Sequence, residues 1–486
     1  MLETRRPKLD MLSESFIDQI ISEALDVLEK TGVLVENEEA LRLLSDAGCE
    51  CKGQKVTIKE TLVEESLKTT PHSIKVYDRS GDLALNLEGD AIHFDPGSGA
   101  LTILDPVTLE ERDPVTKDLI RFATLTDALP NIAAQSTEMI STDVPKAMQD
   151  RYRLYIGLQY CKKPMVTGTF ALESFAIMKD MLVAIRGSEE ALKEKPLAIF
   201  DCCPSPPLKW SNLTCQDLID ASKAGIPAEL ISMPLTGATA PVTLAGAVLQ
   251  LTAENLSGVV IHQLAHPGSP IIFGGSPAAF DMRKGTTPMG AMETMMINAA
   301  YVQIGKHLGL PTHAYQGLSD AKIVDGQAGL ETGMGALTSA LSGANVIAGP
   351  GMLNFESCQS LEKLVLDNEI CGMALRMVRG IEARGDRFGG DLYGDIYDGQ
   401  HFLASEETLR WFREEMDQAG SVIDRDTYDV WKSHGKKSSW DRACMEVEKI
   451  MNSYTVEPLT DDSLKALRSI MKDDAQRMGF DLPPLD

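Results

Sequence analysis

Short apolar runs alternate with longer amphipathic segments through most of the chain. Eight runs have the length and composition of buried strands: residues 132–140, 164–170, 197–202, 228–235, 270–274, 311–316, 344–348 and, more weakly, 391–397. Segments of helical length and periodicity lie between them: residues 175–186, 214–224, 244–265, 293–308, 327–341 and 361–378. Parallel strands need a crossover between neighbours, and a helix is the usual one, so the alternation predicts repeated βαβ units.

Eight such units over roughly 250 residues are what a (β/α)8 TIM barrel requires. An open doubly wound sheet is the structural alternative, and it usually carries a glycine fingerprint directly after its first strand. Residues 141–145 read STDVP, which is no such fingerprint. We therefore predict an α/β protein whose catalytic domain is a TIM barrel over residues 131–405.

The two ends of the chain have different patterns. Residues 1–130 begin with two predicted helices, and strand-like runs separated by turn signals follow, which indicates an N-terminal α+β region. Residues 406–486 are rich in charge and hold three of the four tryptophans, at positions 411, 431 and 440. This pattern predicts a helical C-terminal extension that packs against the rest of the molecule.

Composition narrows the possible partners. The 486 residues include 46 Lys and Arg against 71 Asp and Glu, a formal net charge of -25. Such a surface repels nucleic acid and anionic membranes, so neither is predicted as a partner. The longest apolar stretch, residues 256–275, is interrupted by histidines and prolines, which argues against a membrane span.

Further expectations come from the first residues and the cysteines. Residues 1–18 lack the apolar core of a secretion signal, and the nine cysteines lack paired CxxC spacing. These features predict a cytoplasmic protein with reduced thiols and no bound metal. The helical barrel exterior and the tryptophan-bearing tail predict a homo-oligomer.

The densest group of candidate functional residues follows the sixth predicted strand, in a part of a barrel where active sites are built. Asp320, Gln327 and Glu331 are predicted as catalytic residues, and the last two share one helix face because they are four positions apart. The alternative is that Asp320 caps the helix and Glu331 is a solvated acid. Both interpretations remain open on the sequence alone.

Aromatic residues at predicted strand ends suggest a second kind of chemistry. Aromatic faces attract quaternary ammonium ions, each contact contributing about 0.5–2 kcal/mol. Any single aromatic is more often part of the core, so only the whole group favours a cage. The group consists of Phe94, Phe170, Tyr315, Phe355, Tyr393 and Tyr397.

Several segments resemble the trimethylamine methyltransferase family. The most specific is GLSDAKIVDGQAGLE at residues 317–331, supported by LSGAN at 341–345 and LVLDNEICGM at 364–373. FGGS at 273–276 with PAAFDMR at 277–283, and LGLP at 308–311, fit the same family. The resemblance implies a (β/α)8 barrel enzyme that transfers methyl groups to a corrinoid.

The family resemblance also implies a substrate class and partners. The branch that acts on trimethylamine carries pyrrolysine, whereas every position here is a standard residue. The chain therefore resembles the pyrrolysine-free branch, which implies demethylation of a quaternary amine, glycine betaine first. A DxHxxG corrinoid-binding sequence is missing, so the resemblance implies a corrinoid (cobalamin) carried by a separate cognate corrinoid protein.

The resemblance gives the candidate residues specific roles. The six aromatics would surround the ammonium, and Asp320, Gln327 and Glu331 would order the pocket. A betaine carboxylate needs a hydrogen-bond donor, and the candidates are His313, Arg283, Gln316 and His401.

Two other functions remain possible on the sequence. A barrel lyase or aldolase would use Lys322 near the sixth strand as a Schiff-base amine. A protein that binds betaine without catalysis would keep the fold and transfer no methyl group.

Overall fold

A computed structural model describes residues 5–384, 388–393 and 401–482. Its N-terminal part combines helices with short strands, as predicted. The helices are α1 (Glu14–Asp26), α2 (Glu38–Asp46) and α3 (Glu60–Thr69). The strands are β1 (Val33–Val35), β2 (Glu50–Lys52), β3 (Lys55–Thr57), β4 (Ile74–Tyr77), β5 (Leu83–Leu87), β6 (His93–Asp95), β7 (Thr102–Leu104) and β8 (Glu111–Arg112). β4 and β5 form an antiparallel hairpin through a turn in which Gly81 adopts a φ of 88°.

Parallel strands make up the centre of the molecule. One five-stranded sheet has the order β15-β13-β11-β10-β9, and a three-stranded sheet has the order β17-β18-β6. The new members are β9 (Gln135–Ser136), β10 (Met165–Thr167), β11 (Ala198–Cys202), β13 (Ala228–Ser232), β15 (Ile271–Gly275), β17 (His313–Tyr315) and β18 (Val346–Ala348). Short strands β12 (Lys209–Trp210), β14 (Leu235–Thr236), β16 (Ala278–Ala279), β19 (Met352–Leu353) and β20 (Cys358–Gln359) follow some of them.

Backbone contacts link the two parallel sheets at both of their ends. Phe273 of β15 forms a parallel bridge with Thr312, directly before β17. At the other junction, the Ala133 amide donates to the Phe94 carbonyl of β6 at 2.6 Å. All eight strands therefore run in the same direction, with their carboxyl ends on the same side.

The prediction of an eighth strand at residues 391–397 was wrong for the residues that the structure describes. Its described part belongs to a 3-10 helix, Gly390–Tyr393, and Tyr397 lies outside the described residues. Aspartate and glycine occupy much of this run, and both are poor strand formers. β6, from the N-terminal part, pairs with β18 instead. The division into regions 1–130, 131–405 and 406–486 stays a prediction, and the β6–β18 pairing crosses the first boundary.

Helices connect the parallel strands and cover them. They are α4 (Thr116–Ala128), α5 (Gln149–Tyr160), α6 (Ser174–Arg186), α7 (Glu189–Glu194), α8 (Asn212–Ala224), α9 (Leu244–Ala265), α10 (Met292–His307), α11 (Gly326–Ser342) and α12 (Leu361–Arg379). Their ends follow local chemistry: Ser211 accepts from the Thr214 amide at the start of α8, and left-handed Gly225 ends it.

Four helices follow the 3-10 segments near residue 400. They are α13 (Glu406–Glu415), α14 (Tyr428–Ser433), α15 (Ser439–Ser453) and α16 (Asp461–Arg477). α15 packs on α12 and α4, and α16 packs on α5 and α6. Asp474 of α16 accepts a 2.6 Å hydrogen bond from the buried Arg151 Nε, which fixes the last helix to α5.

Among the described helices, α9 is the one with the length and composition of a membrane span. Its best window has a mean hydropathy of 1.4, and 78% of that window is buried inside the molecule. It packs against α1, α3, α8 and α10. Its apolar surface is thus covered by the protein's own helices.

Candidate active site

A cavity of about 250 Å³ opens at the carboxyl ends of the parallel strands. Its wall combines carboxyl groups, one guanidinium, one imidazole, aromatic rings and apolar side chains. The polar and aromatic residues of the wall include Asp95, Ser98, Arg153, Phe170, Asp201, Ser276, His313, Tyr315 and Glu356. Because strand ends and the segments after them supply most of this wall, the cavity lies where barrel enzymes place their chemistry.

Acidic side chains on strands β6, β11 and β13 lie at or next to the base of the cavity: Asp95 and Asp201 line it, and Glu229 is fully buried next to Asp201. Asp201 of β11 and Glu229 of β13 are register partners on neighbouring strands. Burial raises the pKa of Asp201 to about 7 and raises the pKa of Glu229 well above its ordinary value, with the Asp201 charge adding to the second effect. Burial, and then the Asp201 charge, also raise the pKa of Asp95 well above its ordinary value.

Three acids this close cannot all be ionised without a cation beside them. Neither Glu229 oxygen has a hydrogen-bond donor among the described residues, so a hydrogen bond between Asp201 and Glu229 requires a proton on one of them. One Asp95 oxygen is likewise unpartnered. The raised pKa values favour the protonated forms of these acids in the empty cavity, and a positive charge above them would favour the carboxylates.

His313 lies beside this acidic group without bonding to it. Its Nδ1 is 3.7 Å from Glu229 Oε1 and has no hydrogen-bond partner among the described residues. Burial lowers the pKa of His313 to about 3, so the imidazole is neutral at pH 7. A neutral ring contributes no counter-charge to the carboxyls.

Glu356 reaches the cavity from a strained segment. Asn354, Phe355 and Glu356 all have left-handed φ angles, of 49°, 54° and 68°. Such a conformation costs non-glycine residues roughly 1–2 kcal/mol each. The Glu356 Oε1 accepts a 2.8 Å hydrogen bond from Ser276 Oγ, and burial raises the pKa of Glu356 to about 7. Strain held in this way marks a functional position more often than a structural one.

Arg153 is the cation of the cavity wall. It is fully buried, and its NH1 donates to the Thr137 carbonyl at 2.7 Å. Its guanidinium carbon lies 4.5 Å from the centre of the Phe170 ring, which is half exposed at the mouth. Burial lowers the pKa of Arg153 to about 10, so it stays charged at neutral pH.

Tyr315 closes the side of the cavity near β6. Its hydroxyl accepts from the Ser98 amide at 2.6 Å and lies 3.2 Å from Met352 Sδ. Gly97 sits against these atoms: a Cβ there would overlap Met352 and lie 2.7 Å from the Tyr315 oxygen. The ring and the segment after β6 are thus fixed to each other.

The structure brings some of the predicted site residues to the cavity wall. Phe170, His313 and Tyr315 line it. Phe94 is buried in the core, while its neighbour Asp95 lines the cavity. Buried Gln316 donates towards the Met289 carbonyl, 3.4 Å away, and is outside the lining.

Other predicted residues lie away from the wall. Arg283 is exposed and pairs with Asp281, and His401 is exposed before a short 3-10 helix. Tyr393 is exposed and contacts Phe402 edge-to-face, with ring centres 5.6 Å apart. Phe355 is outside the lining and contacts Lys322, whose Nζ is 3.7 Å from its ring centre.

Asp320, Gln327 and Glu331 form one hydrogen-bonded network next to the cavity. Gln327 Nε2 donates to Glu331 Oε1 at 2.9 Å, and Glu331 Oε2 accepts from the Asp320 amide at 2.8 Å and from Ser319. Asp320 accepts from the Met289 and Gly290 amides rather than capping a helix, since Asp325 caps α11. Burial raises the pKa of Asp320 to about 6. Their catalytic role stays a prediction.

Several residues of the cavity were absent from the predicted set. The missed acids of the wall are Asp95, Asp201 and Glu356, the missed cation is Arg153, and Glu229, the register partner of Asp201, was missed as well. For Asp201 and Glu229 the signal was available, since each interrupts an otherwise apolar strand run. Arg153 lies on helix α5 rather than at a strand end, and this helix is buried on most sides, so no periodic pattern singles out the residue that faces the cavity.

The described residues contain no group of side chains arranged to bind a metal ion. Among residues 5–384, 388–393 and 401–482, no three His, Cys, Asp or Glu side chains are grouped to hold a metal ion.

Comparisons with known proteins agree over almost the full length. The family described as trimethylamine methyltransferase (MTTB) matches residues 1–479. Trimethylamine methyltransferase MttB2 of Methanosarcina mazei is 32% identical over 476 residues, covering 96% of this chain and 95% of that protein. Glycine betaine methyltransferase of Desulfitobacterium hafniense (strain Y51) is 29% identical over 462 residues, covering 95% and 96%.

A solved structure supports the fold. The monomethylamine methyltransferase MtmB of Methanosarcina barkeri superposes with a TM-score of 0.51 at 11% identity, covering 99% of this chain and 91% of that one. The family match confirms the resemblance found in the sequence. This chain therefore belongs to the trimethylamine methyltransferase family and is a methyltransferase.

Proposed function

We propose that this enzyme transfers a methyl group from a quaternary amine, glycine betaine first, to the Co(I) corrinoid of a separate carrier protein. The observation that carries this proposal is the buried acidic base of the cavity, formed by Asp95, Asp201 and Glu229. A permanent cation supplies the positive charge that this base lacks. Glycine betaine methyltransferase among the relatives supports the same choice.

The choice of a quaternary amine also follows from leaving-group chemistry. When a methyl group leaves a quaternary nitrogen, the bonding electrons stay on nitrogen and a neutral tertiary amine departs. A Co(I) corrinoid supplies the electron pair that forms the new bond to the methyl carbon. The full sequence is made of standard residues, so no pyrrolysine is present to activate a less reactive amine.

The residues of this chain bind and orient the substrate. Carboxylates of Asp201 and Glu356 attract the ammonium group, and the face of Tyr315 adds a cation–π contact of about 0.5–2 kcal/mol. His313 stays neutral, so it does not repel the cation. Asp320, Gln327 and Glu331 act as positioning residues, because their network holds the segment at Met289 and Gly290.

The corrinoid is proposed to come from outside. A cavity of about 250 Å³ accommodates a small amine but is too small for a corrin macrocycle. The missing DxHxxG sequence agrees with a corrinoid bound by the cognate partner, which would dock over the mouth. The partner presents the corrinoid there, and the walls of this chain keep water from the methyl carbon.

The finer points of architecture are part of the same proposal. The two parallel sheets are proposed to close into one (β/α)8 barrel in which β6 is the eighth strand. The helical C-terminal extension, a homo-oligomeric state and a cytoplasmic location complete this proposal. The competing Schiff-base function has less support, because Lys322 donates to the Asp320 carbonyl and lies outside the cavity lining.

The test is anaerobic absorbance of cob(I)alamin mixed with the enzyme and one amine at a time. Glycine betaine, proline betaine, carnitine, choline and trimethylamine form the panel. We expect enzyme-dependent loss of the Co(I) band with glycine betaine. If free cobalamin does not react, the assay is repeated with the co-purified carrier protein in its place, and the same loss is expected. Turnover of trimethylamine alone, or of none of the five with the carrier present, contradicts the proposal.

A further inference from the structure

Two arginines of helix α5 differ in how many hydrogen-bond partners their guanidinium groups have. Arg151 donates to Asp474, Asp150, Ser174 and the Ala147 carbonyl. Arg153, two residues further on, makes one hydrogen bond, to the Thr137 carbonyl, and its Nε has no partner among the described residues. A buried guanidinium with free N–H groups is costly unless a ligand completes it.

Three acids lie near enough to Arg153 for their charges to stabilise it: Asp150, Glu138 and Asp201. Asp150 accepts from the Arg151 and Phe170 amides, at 2.8 and 2.7 Å. Glu138 accepts from Gln135 Nε2 at 2.7 Å, and its burial disfavours the ionised form. Asp201 is the register partner of Glu229. No salt bridge to Arg153 is found in the described part of the chain, so its charge is available to the cavity.

The guanidinium is also held in place. Its central carbon lies over the Phe170 ring, 4.5 Å from the ring centre, and the Phe170 amide donates to Asp150 at 2.7 Å. Thr169, beside Phe170, donates to Asp217 on α8. A guanidinium fixed in this way loses little freedom when it forms the paired N–H bonds that carboxylates accept.

Charge is distributed unevenly around the cavity. One end of the five-stranded sheet is formed by β9 and β10. Arg153 lies on helix α5 between these two strands, and Phe170 lies in the segment after β10. Glu356 is bonded to Ser276, directly after β15, at the opposite end of that sheet. A small ligand that carries both charges would lie with its anion at Arg153 and its cation at the acids.

We propose that Arg153 is the specificity residue of the cavity and binds the carboxylate of a zwitterionic substrate. It thereby selects methylated amino acids over methylated amines that have no anionic group. This inference rests on the proposed function and gives the carboxylate a donor outside the set predicted from sequence. Of the four donors in that set, His313 alone lines the cavity.

The first test needs no variant. Calorimetry compares glycine betaine with trimethylglycinamide, which has the same cation but a neutral amide in place of the carboxylate. Because a charge-assisted pair is lost, we expect the wild-type enzyme to bind the amide roughly 10- to 100-fold more weakly. Equal affinity for the two ligands, or no binding of either, overturns the inference.

Variants assign the preference to one side chain. Arg153→Gln should reduce the preference to within about threefold, and Arg153→Lys should keep part of it, because Lys retains the charge without the planar fork. Arg42→Gln, on the exposed face of α2, is the matched control and should bind like wild type. Unchanged discrimination in Arg153→Gln, or an equal loss for both ligands, contradicts the assignment.

Methyl transfer separates this inference from the proposed function. If wild-type enzyme demethylates a quaternary amine but binds glycine betaine and its amide equally, the inference on Arg153 fails and the proposed function stands. If no quaternary amine is demethylated with the carrier present, the proposed function fails.

Discussion

Buried carboxyl groups dominate the chemistry of the cavity at the level of single residues, and the Arg153 charge acts on two of them, Asp201 and Glu138. Burial raises the pKa of Asp201 and Glu356 to about 7 and that of nearby Glu138 to about 8. Their protonated forms are therefore populated near neutral pH in the empty enzyme. A cationic substrate binds best after these protons have left, because the carboxylates then attract it.

The stability of the ligand-free enzyme should fall as pH rises from 6 to 8. In the unfolded chain these acids titrate near ~4, so between ~4 and their folded values the native state binds more protons. The stabilisation is complete below the unfolded pKa and is lost as pH passes the folded values of about 7 and 8. Thermal unfolding of wild type and Glu356→Gln measures this, and the variant should show the shallower decline. Identical pH profiles for the two proteins would contradict the assignment.

Close packing at Gly97 should make even a methyl group harmful. In Gly97→Ala the Cβ would overlap Met352 and approach the Tyr315 oxygen to 2.7 Å, so the side wall of the cavity must shift. We expect a loss of about 1–3 kcal/mol in the free energy of unfolding and a weaker affinity for glycine betaine.

Gly333 on helix α11 is the matched control for that substitution. Its added Cβ would meet no atom within 4 Å, so Gly333→Ala should be neutral or stabilising. Urea unfolding and calorimetry of both variants provide the comparison. A Gly97→Ala protein with wild-type stability and affinity would show that the wall adapts freely.

Among whole elements, the C-terminal helix α16 is coupled to the mouth of the cavity. Asp474 on α16 binds Arg151, which contacts Asp150, and Asp150 accepts from the Phe170 amide at 2.7 Å. Arg151 also donates to Ser174 at the start of α6. The segment between β10 and α6 is therefore held in part by a helix more than 300 residues away.

Removing the charge of Asp474 should destabilise both helix α16 and the segment between β10 and α6. Asp474→Asn leaves the buried Arg151 without its main counter-ion, which costs about 3–5 kcal/mol when a buried pair is broken. Hydrogen exchange should become faster in α16 and in residues 168–174. Asp473→Asn, at the exposed neighbouring position, is the control and should exchange like wild type. Faster exchange in α16 alone would show that the helix does not hold the mouth.

Sequence periodicity located most of the parallel strands but not all of them. β9, β10, β11, β13, β17 and β18 lie within predicted runs, and β15 extends one residue beyond its run. Buried parallel strands are continuous apolar stretches, which is why the pattern found them. β6 escaped assignment to the parallel strands because it has three residues, with His93 and Asp95 at its ends, and pairs with β18 more than 250 residues later. Pairing over such a distance leaves no local pattern.

The same limit explains the mixed success at the site. Phe170, His313 and Tyr315 were found because strand ends supply the wall of such cavities. Asp95 was missed together with its strand, and Arg153 was missed because helix α5 turns it inward. Which helix residue faces a cavity depends on packing that the sequence does not display.

For the molecule as a whole, net charge and cavity size limit which molecules can react in the cavity. The net charge is -25, and the cavity of about 250 Å³ carries its acids on the inside as well. A cavity of this size suits a small substrate. We propose that a methyl group leaves a quaternary nitrogen in this cavity and moves to a corrinoid outside it.

Glycine betaine labelled with 13C in its N-methyl groups tests that claim most directly. The enzyme, its reduced carrier protein and the labelled compound are incubated without oxygen, and the label is followed by NMR. We predict one equivalent of dimethylglycine for each labelled methyl group that reaches cobalt, in wild type and not in a denatured control. Label that stays on the quaternary nitrogen, with the carrier shown to be in its Co(I) state, would contradict the account.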